Sequence, residues 1–212
     1  MKKVLLIALA VLAVALLLSS CSKVLLPTGI TSIREAITSA GTATTNATVV
    51  GVVTKGYGDY VIIQDDTAAI EVYLKGSKFA TIYATGDKIK VAGKVELYKN
   101  NWEITPASTS DVSKIGTGNV SAILIPTNLG LSVDYDWMLM KVENLSVKKT
   151  SDKYYNVILS NGSTDVTIYS YDSNVRTWLT SLATGDEVSA QGLVQYVYGW
   201  KLVLRDINDK LK

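Results

Sequence analysis

One stretch of sequence that occurs twice decides the fold. Residues Ala84–Trp102 read ATGDKIKVAGKVELYKNNW, and residues Ala183–Trp200 read ATGDEVSAQGLVQYVYGW. Both copies begin with Ala-Thr-Gly-Asp and carry a glycine at the same offset, Gly93 and Gly192. After a one-residue deletion, both also end with a matching tyrosine and tryptophan. These matches, all in the same order, indicate that the chain contains two copies of one structural unit.

The two copies lie in the same predicted order of elements. Alternating apolar and polar residues, as in Ala69–Leu74, are typical of strands. The predicted strands are Thr48–Thr54, Tyr60–Gln64, Ala69–Leu74, Lys88–Tyr98 and Trp102–Thr105 in the first unit, and Trp137–Val147, Tyr154–Ser160, Asp165–Tyr171, Glu187–Val197 and Trp200–Arg205 in the second. A helical segment separates the third and fourth strands of each unit, at residues 76–87 and 173–186. A further short helix is predicted over Ser32–Ala40, with Ser32 as its N-cap.

The repeated glycines have a mechanical interpretation. Gly86 and Gly185 can take a positive φ where the helical segment ends and the fourth strand begins. Gly93 and Gly192 lie inside that strand, where glycine weakens pairing unless the strand bends. A long fourth strand that bends at a glycine is what a small closed barrel needs to turn its corner.

Five strands, a helix after the third and a bent fourth strand resemble the OB-fold barrel. The first unit also resembles the OB-fold module of secreted bacterial nucleases and bacterial surface lipoproteins, through TSIREAI (Thr31–Ile37), VVGVVT, YVIIQDDTAAIEVYL and GDKIKVAGKV. That family has Gln-Asp-x-Thr-Gly-Gly after the second strand, whereas Gln64–Ala69 here reads QDDTAA. We therefore expect an all-β protein of two tandem five-stranded OB-fold barrels, each with a short helix between strands three and four.

The N-terminal residues predict export. Lys2 and Lys3 precede the apolar run Val4–Leu18, which is too short for a full membrane span and typical of a signal peptide. Leu18-Ser19-Ser20-Cys21 then resembles the bacterial lipobox, which implies lipidation of Cys21; an ordinary cleaved signal peptide is the alternative. The resemblance implies a protein anchored in the bacterial cell envelope, at the outer membrane or the cell surface. The expected organisation is a signal peptide (1–20), a tether (21–30), barrel 1 (31–106), a short ordered linker (107–124) and barrel 2 (125–212).

Composition argues against several function classes. The chain has 21 basic and 19 acidic residues and no histidine. Without Lys2 and Lys3 the charges balance, whereas proteins that bind nucleic acid mainly by neutralising phosphates are usually basic. The chain shows no phosphate-binding loop and no nucleophile elbow. Carboxylates cluster at 65–66, 134–136 and 206–209, but turn aspartates usually cap backbone N–H groups. We therefore expect no enzyme activity, no cofactor and no metal.

Binding is the better expectation. OB-fold barrels bind ligands on strands two and three, between the loops that join strands one to two and four to five. These places hold the candidate ligand-binding residues Lys55, Tyr57, Tyr60, Tyr73, Lys75, Lys99 and Trp102 in barrel 1, and Lys148, Lys149, Lys153, Tyr154, Tyr169, Tyr198 and Trp200 in barrel 2. Aromatic rings between lysines suit stacking on bases or sugars. The same residues also favour strands and barrel rims for structural reasons alone.

Three functions therefore stay open at the level of sequence. The first is binding of single-stranded nucleic acid, as the family resemblance implies. The second is an assembly role in which the barrels hold a protein of the cell envelope. The third is glycan binding through the tyrosine and tryptophan faces.

Overall fold

The computed structural model describes residues 28–41, 44–126, 130–150 and 154–212. Its fold is all-β with a few short helices, arranged as two tandem OB-fold barrels. The predicted signal peptide, Cys21 and Lys153 lie outside the described residues. Within the described ranges, no helix is long and apolar enough to cross a membrane.

The first barrel follows the order that the sequence predicts. Its strands are β1 (Thr45–Tyr57), β2 (Tyr60–Gln64), β3 (Ala69–Tyr73), β4 (Asp87–Tyr98) and β5 (Asn101–Thr105). They pair in the order β1-β2-β3-β5-β4, and β4 closes the barrel on β1. The helix α1 (Ile33–Ala40) precedes the barrel, and α2 (Phe79–Ile82) lies between β3 and β4. Ser32 caps α1 as predicted, because its hydroxyl accepts from the N–H of Glu35.

The segment between the barrels is ordered and extends both sheets. After a 3-10 turn at Thr109–Asp111, β6 (Val112–Thr117) pairs antiparallel with β4 of the first barrel. The short strand β7 (Ile123–Leu124) pairs parallel with the first strand of the second barrel. The predicted linker therefore contributes one strand to each sheet.

The second barrel repeats the topology of the first. Its strands are β8 (Leu139–Lys149), β9 (Val157–Ser160), β10 (Asp165–Ser170), β11 (Glu187–Tyr196) and β12 (Trp200–Leu204). They pair in the order β8-β9-β10-β12-β11, with closure between β11 and β8. The helix α3 (Ser173–Ser181) occupies the predicted place between β10 and β11. The duplication seen in the sequence is thus a duplication of the fold.

The repeated Ala-Thr-Gly-Asp forms the same turn in both barrels. Gly86 has φ +93° and Gly185 has φ +94°, a backbone conformation that glycine adopts without steric cost. The carboxylate of Asp87 accepts from the N–H of Ala84 at 3.1 Å, and Asp186 accepts from Ala183 at 2.8 Å. Each barrel therefore uses its repeated aspartate to close the turn that starts the fourth strand.

The repeated strand glycines lie where the fourth strand comes close to the fifth. A Cβ on Gly93 would lie 2.7 Å from the carbonyl oxygen of Thr105, and one on Gly192 would lie 2.6 Å from that of Val203. Both oxygens belong to the fifth strand of the same barrel. Glycine is needed here because the backbone of the fifth strand comes too close for any side chain, which is the physical reason for the conserved offset between the two copies.

Candidate functional site

The second barrel covers the β2–β3 face of the first barrel. Ile62 and Ala69 point outward from that face, yet both are fully buried and pack into the core of the second barrel. Gln64 is also buried, and its Oε1 accepts from the N–H of Leu139 at 2.7 Å. The face that binds ligands in many OB-fold proteins is therefore largely occupied in this barrel.

A buried carboxyl group lies between the barrels. Asp136 is 3% exposed, and its Oδ2 accepts from the N–H of Trp102 at 2.6 Å. Burial, with a smaller contribution from the charge of Glu71, raises the pKa of Asp136 to about 8. Burial and then the charge of Glu103 raise the pKa of Glu71 to about 7. Among the described residues, neither Oδ1 of Asp136 nor Nε1 of Trp137 has a hydrogen-bond partner.

Two basic side chains tie the barrels together. Arg205 pairs with the buried Asp209, at 2.7 Å between Nη2 and Oδ1, and its Nη1 donates to the carbonyl oxygen of Thr54 at 3.1 Å. Nζ of Lys55 donates to the carbonyl oxygen of Arg205 at 3.1 Å. Lys55, a candidate ligand-binding residue by sequence, therefore contributes to the contact between the barrels.

The corresponding side of the second barrel carries an open groove of about 680 Å³. The groove lies beside β10, β12 and the start of α3. Its lining consists of Tyr154, Tyr155, Asn156, Tyr169, Arg176, Val197, Tyr198 and Lys201. Half of these residues are tyrosines and two are cations. We refer to this site as the tyrosine groove.

Arg176 lies at the centre of the tyrosine groove. Its guanidinium is 5.0 Å from the ring centre of Tyr155 and 5.8 Å from that of Tyr169. Nε of Arg176 donates to the carbonyl oxygen of Ser170 at 2.8 Å, which fixes the side chain against the end of β10. The start of α3 holds Arg176 in place, because the carboxylate of Asp172 caps that helix.

Lys201 supplies the second cation of the groove. Its Nζ is 5.1 Å from the ring centre of Tyr169 and donates to Oδ1 of Asn156 at 2.6 Å. Tyr154 and Tyr198 flank this arrangement and are 61% and 99% exposed. The exposed rings of Tyr154 and Tyr198 can stack on a flat ligand. The cations that lie over the ring of Tyr169 can neutralise the negative charge of such a ligand.

The aromatic surface continues beyond the groove. The rings of Tyr169 and Tyr171 meet edge to face at 5.0 Å, and Tyr171 is 59% exposed. In the first barrel, the rings of Tyr57 and Tyr60 lie 6.0 Å apart, and Tyr57 is 71% exposed. Burial, followed by the charges of Glu71 and Tyr171, raises the pKa of Tyr60 to about 12. Tyr60 also packs against the core of the second barrel, so its ring lies at the contact between the barrels.

The structure brings only some of the predicted binding residues together. Tyr154, Tyr169 and Tyr198 line the tyrosine groove, and Tyr57 and Tyr60 lie on the neighbouring surface of the first barrel. Sequence reasoning missed Tyr155, Tyr171, Asn156, Arg176 and Lys201. The doubled tyrosine at 154–155 was a signal for one of these, whereas the placement of Arg176 depends on how α3 packs.

The remaining candidates of the first barrel lie elsewhere. Trp102, a candidate ligand-binding residue by sequence, is not on the open surface: its side chain is 8% exposed and packs in the core of the first barrel. Tyr73 is half-buried opposite Tyr60 in the β2–β3 register. Lys75 is exposed beyond the end of β3, and Nζ of Lys99 lies 4.9 Å from the ring centre of Tyr98 at the β4–β5 turn.

The other candidates of the second barrel are also outside the groove. Trp200 is half-buried against the second core, with its ring 5.4 Å from that of Tyr196. Lys148 forms an exposed ion pair with Asp165 at 2.6 Å. Lys149 is exposed at the end of β8.

The clustered carboxylates have structural contacts. Both oxygens of Asp65 accept backbone N–H groups, from Thr67 and Ala68 in its own turn and from Ile33 at the start of α1. Asp206 accepts from the N–H of Asn208 at a 3-10 turn. Within the described residues, no three histidine, cysteine or acidic side chains are grouped so that they could hold a metal ion.

Comparison with known proteins gives distant structural likenesses. No protein-family model matches the chain, and no curated protein matches it. A murine DNA-binding protein bound with double-stranded DNA is similar over 74% of this chain and 92% of its own, at 13% identity and a TM-score of 0.38. The single-stranded DNA-binding protein from Thermus aquaticus is similar over 75% and 89%, at 8% identity and a TM-score of 0.25. Function therefore has to be argued from the surface of this chain itself.

Proposed function

We propose that the protein is a non-catalytic binding module that holds single-stranded nucleic acid in the tyrosine groove of its second barrel. The observation that carries the proposal is the pairing of cations with exposed rings: Arg176 and Lys201 both lie over tyrosines, and none of the described lining residues is acidic. Single-strand binding surfaces combine base stacking on aromatic rings with cations that follow the backbone. The groove supplies both on one open surface.

The tyrosine groove is positively charged although the net charge of the chain is near zero. Equal numbers of basic and acidic residues after Lys3 would not by themselves attract a polyanion. The lining of the groove, however, contains Arg176 and Lys201 and, among its described residues, no acidic side chain. The groove is therefore a positive site on a chain whose overall charge is near zero.

The decisive test is fluorescence anisotropy of a labelled oligothymidine, titrated with the purified protein across a salt series. We expect micromolar or tighter binding that weakens as salt rises, because each neutralised phosphate releases a counterion. Tyr155→Ala should weaken binding about tenfold, since one stacked base contributes about 1–3 kcal/mol, whereas Tyr155→Phe should retain it. Lys201→Ala should reduce the slope of affinity against salt. Lys90→Ala, on an exposed β4 position outside the groove, is the matched control.

Three outcomes would count against this function. The absence of a signal at low ionic strength would exclude nucleic-acid binding. Binding of a neutral glycan on a glycan array, lost in Tyr155→Ala and without any oligothymidine signal, would favour a glycan on the same rings. Specific cross-linking to an envelope protein, unaffected by Tyr155→Ala or Lys201→Ala, would favour the assembly role.

We further propose that the module is exported and held at the cell envelope by lipid on Cys21. The order of Lys2 and Lys3, the apolar run Val4–Leu18 and the cysteine supports this proposal. Several acyl chains on one residue would give stable anchoring, which a single chain does not. Metabolic labelling with a radioactive fatty acid should mark the wild-type protein and not Cys21→Ser. Equal labelling of both would exclude this anchor.

A further inference from the structure

We infer that one nucleic-acid strand crosses both barrels, running from the tyrosine groove over Tyr171 to Tyr60 and Tyr57 of the first barrel. The inference rests on the proposed function and specifies the extent of the site. We call Tyr155, Tyr169, Tyr171, Tyr60 and Tyr57 the tyrosine track.

Ring contacts connect the members of the track within each barrel. Arg176 lies between the rings of Tyr155 and Tyr169, and Tyr169 meets Tyr171 at 5.0 Å. On the first barrel, Tyr57 and Tyr60 are 6.0 Å apart. These spacings suit successive bases, which stack on aromatic side chains placed along a strand.

The step between the barrels is supported by their mutual position. Tyr60 packs against the core of the second barrel, although it belongs to β2 of the first. The hydrogen bond from Leu139 to Gln64 holds the end of the same strand against the second barrel. Because β2 is fixed in this way, the two halves of the track keep one relative position before any ligand binds. A ligand then loses less entropy than it would between two freely moving barrels.

The covered face of the first barrel argues against two independent sites. Ile62 and Ala69 occupy the centre of that face and are fully buried under the second barrel. A second nucleic-acid strand therefore cannot bind to this face of the first barrel, whereas the same face of the second barrel is open. The exposed ring of Tyr57 at the β1–β2 turn remains accessible, and it extends the existing site rather than forming another. One strand per chain is the stoichiometry that follows.

The two ends of the track differ in chemistry. Arg176 and Lys201 lie over the rings of the groove end, whereas Lys55, two residues before Tyr57 in the chain, donates to the carbonyl oxygen of Arg205. The groove end therefore binds backbone and bases together, and the far end adds stacking alone. Short oligonucleotides should occupy the groove end, and only longer ones should gain from Tyr57.

The test compares labelled oligothymidines of about 4 and about 12 nucleotides; the first is the lower limit of the site sizes of one OB fold, about 4–16 nucleotides, and the second is three times as long. Tyr57→Ala should weaken binding of the longer oligonucleotide about fivefold to tenfold and leave binding of the shorter one unchanged. Tyr57→Phe keeps the ring and should bind the longer oligonucleotide as wild type does. Tyr98→Ala is the matched control, because Tyr98 is a 54% exposed tyrosine outside the track. Native mass spectrometry should show one strand of the longer oligonucleotide per chain.

The outcomes separate this inference from the proposed function. If neither length binds, or if Tyr155→Ala has no effect, the proposed function and the track both fail. If both lengths bind and Tyr155→Ala weakens both, but Tyr57→Ala changes neither, the groove stands and the track is wrong. A loss in Tyr57→Ala that is equal for both lengths, or equal to that of Tyr98→Ala, also overturns the track.

Discussion

The main-chain N–H of Trp102, in the fifth strand of the first barrel, donates to the carboxyl group of Asp136, just before the first strand of the second barrel, at 2.6 Å. The carboxyl group is almost fully buried between the barrels, and Glu71 lies close enough to raise its pKa further. A charged carboxylate here would lack a second partner for Oδ1 among the described residues. The contact between the barrels is therefore most favourable when Asp136 is protonated.

The free energy of unfolding should fall as pH rises from about 4 to about 8. Asp136 has a pKa of about 8 in the folded protein and an ordinary value near 3.8 when unfolded, so the folded state binds the extra proton throughout this window. Glu71, with a folded pKa of about 7, acts in the same direction above its ordinary 4.5. Each such proton contributes a slope of up to about 1.4 kcal/mol per pH unit. Urea denaturation at a series of pH values measures this slope.

Asp136→Asn is the informative variant, because it imitates the protonated side chain. It should flatten the profile and be more stable than wild type at pH 8, with the difference shrinking as pH falls and becoming small below about pH 4. Asp134→Asn, two residues away and exposed, serves as the control. An unchanged slope in Asp136→Asn would show that the carboxyl group is not the source of the pH dependence.

Substitutions of Arg205 and Asp209 should be strongly coupled in their effects on the free energy of unfolding, because the two side chains form an ion pair. Arg205→Ala removes the bond to the first barrel and leaves the buried carboxylate of Asp209 without its counter-ion, which should cost about 3–5 kcal/mol. Adding Asp209→Asn should recover part of that loss, because no buried charge then remains. A double-mutant cycle by chemical denaturation measures the coupling, and strictly additive losses would contradict it.

Local signals in the sequence were sufficient to predict the two barrels. Gly93 and Gly192, the repeated turn and the alternation of strands such as Ala69–Leu74 act through nearby backbone, so they can be interpreted without knowledge of the whole fold. The docking of one barrel on the other depends on long-range packing. Its signal was the unbroken apolar run Val61–Ile63, which is buried on both faces of β2.

Dependence on long-range packing also explains which residues of the candidate site the sequence did not predict correctly. Trp102 is an aromatic residue beside the β4–β5 turn, which made it a candidate for ligand binding. Whether a strand tryptophan points inward depends on the register of the strand and on what covers it. Arg176 reaches the groove only because α3 packs beside β10, so the sequence could place it on a helix but could not assign it to the site. Tyr154, Tyr169 and Tyr198 were found because the loops and strands that carry them follow from the OB-fold topology.

The two copies of the repeated turn should differ in their sensitivity to substitution. Asp87 is buried, accepts from Ala84 and pairs with Lys114 at 2.6 Å, whereas Asp186 makes the equivalent turn contact on the surface. Asp87→Ala should therefore lower the unfolding midpoint more than Asp186→Ala. Hydrogen bonding to Lys114 lowers the pKa of Asp87, so its contribution to stability is present above its ordinary value of 3.8 and lost as pH falls below it. Equal midpoints for the two variants at neutral pH would contradict this order.

The fourth-strand glycines Gly93 and Gly192 should be among the least replaceable residues of each barrel. Gly93→Ala and Gly192→Ala each place a Cβ within 2.7 Å of a carbonyl oxygen in the fifth strand, and a backbone atom cannot move aside as a flexible side chain can. Overpacking of this kind costs typically about 1–3 kcal/mol. Gly116→Ala is the matched control, since a Cβ at this strand glycine meets no described atom within 4 Å. Chemical denaturation should show large, similar losses of stability for Gly93→Ala and Gly192→Ala and little change in the control. A loss in only one of the two variants would mean that the two barrels do not share the requirement for glycine at this position.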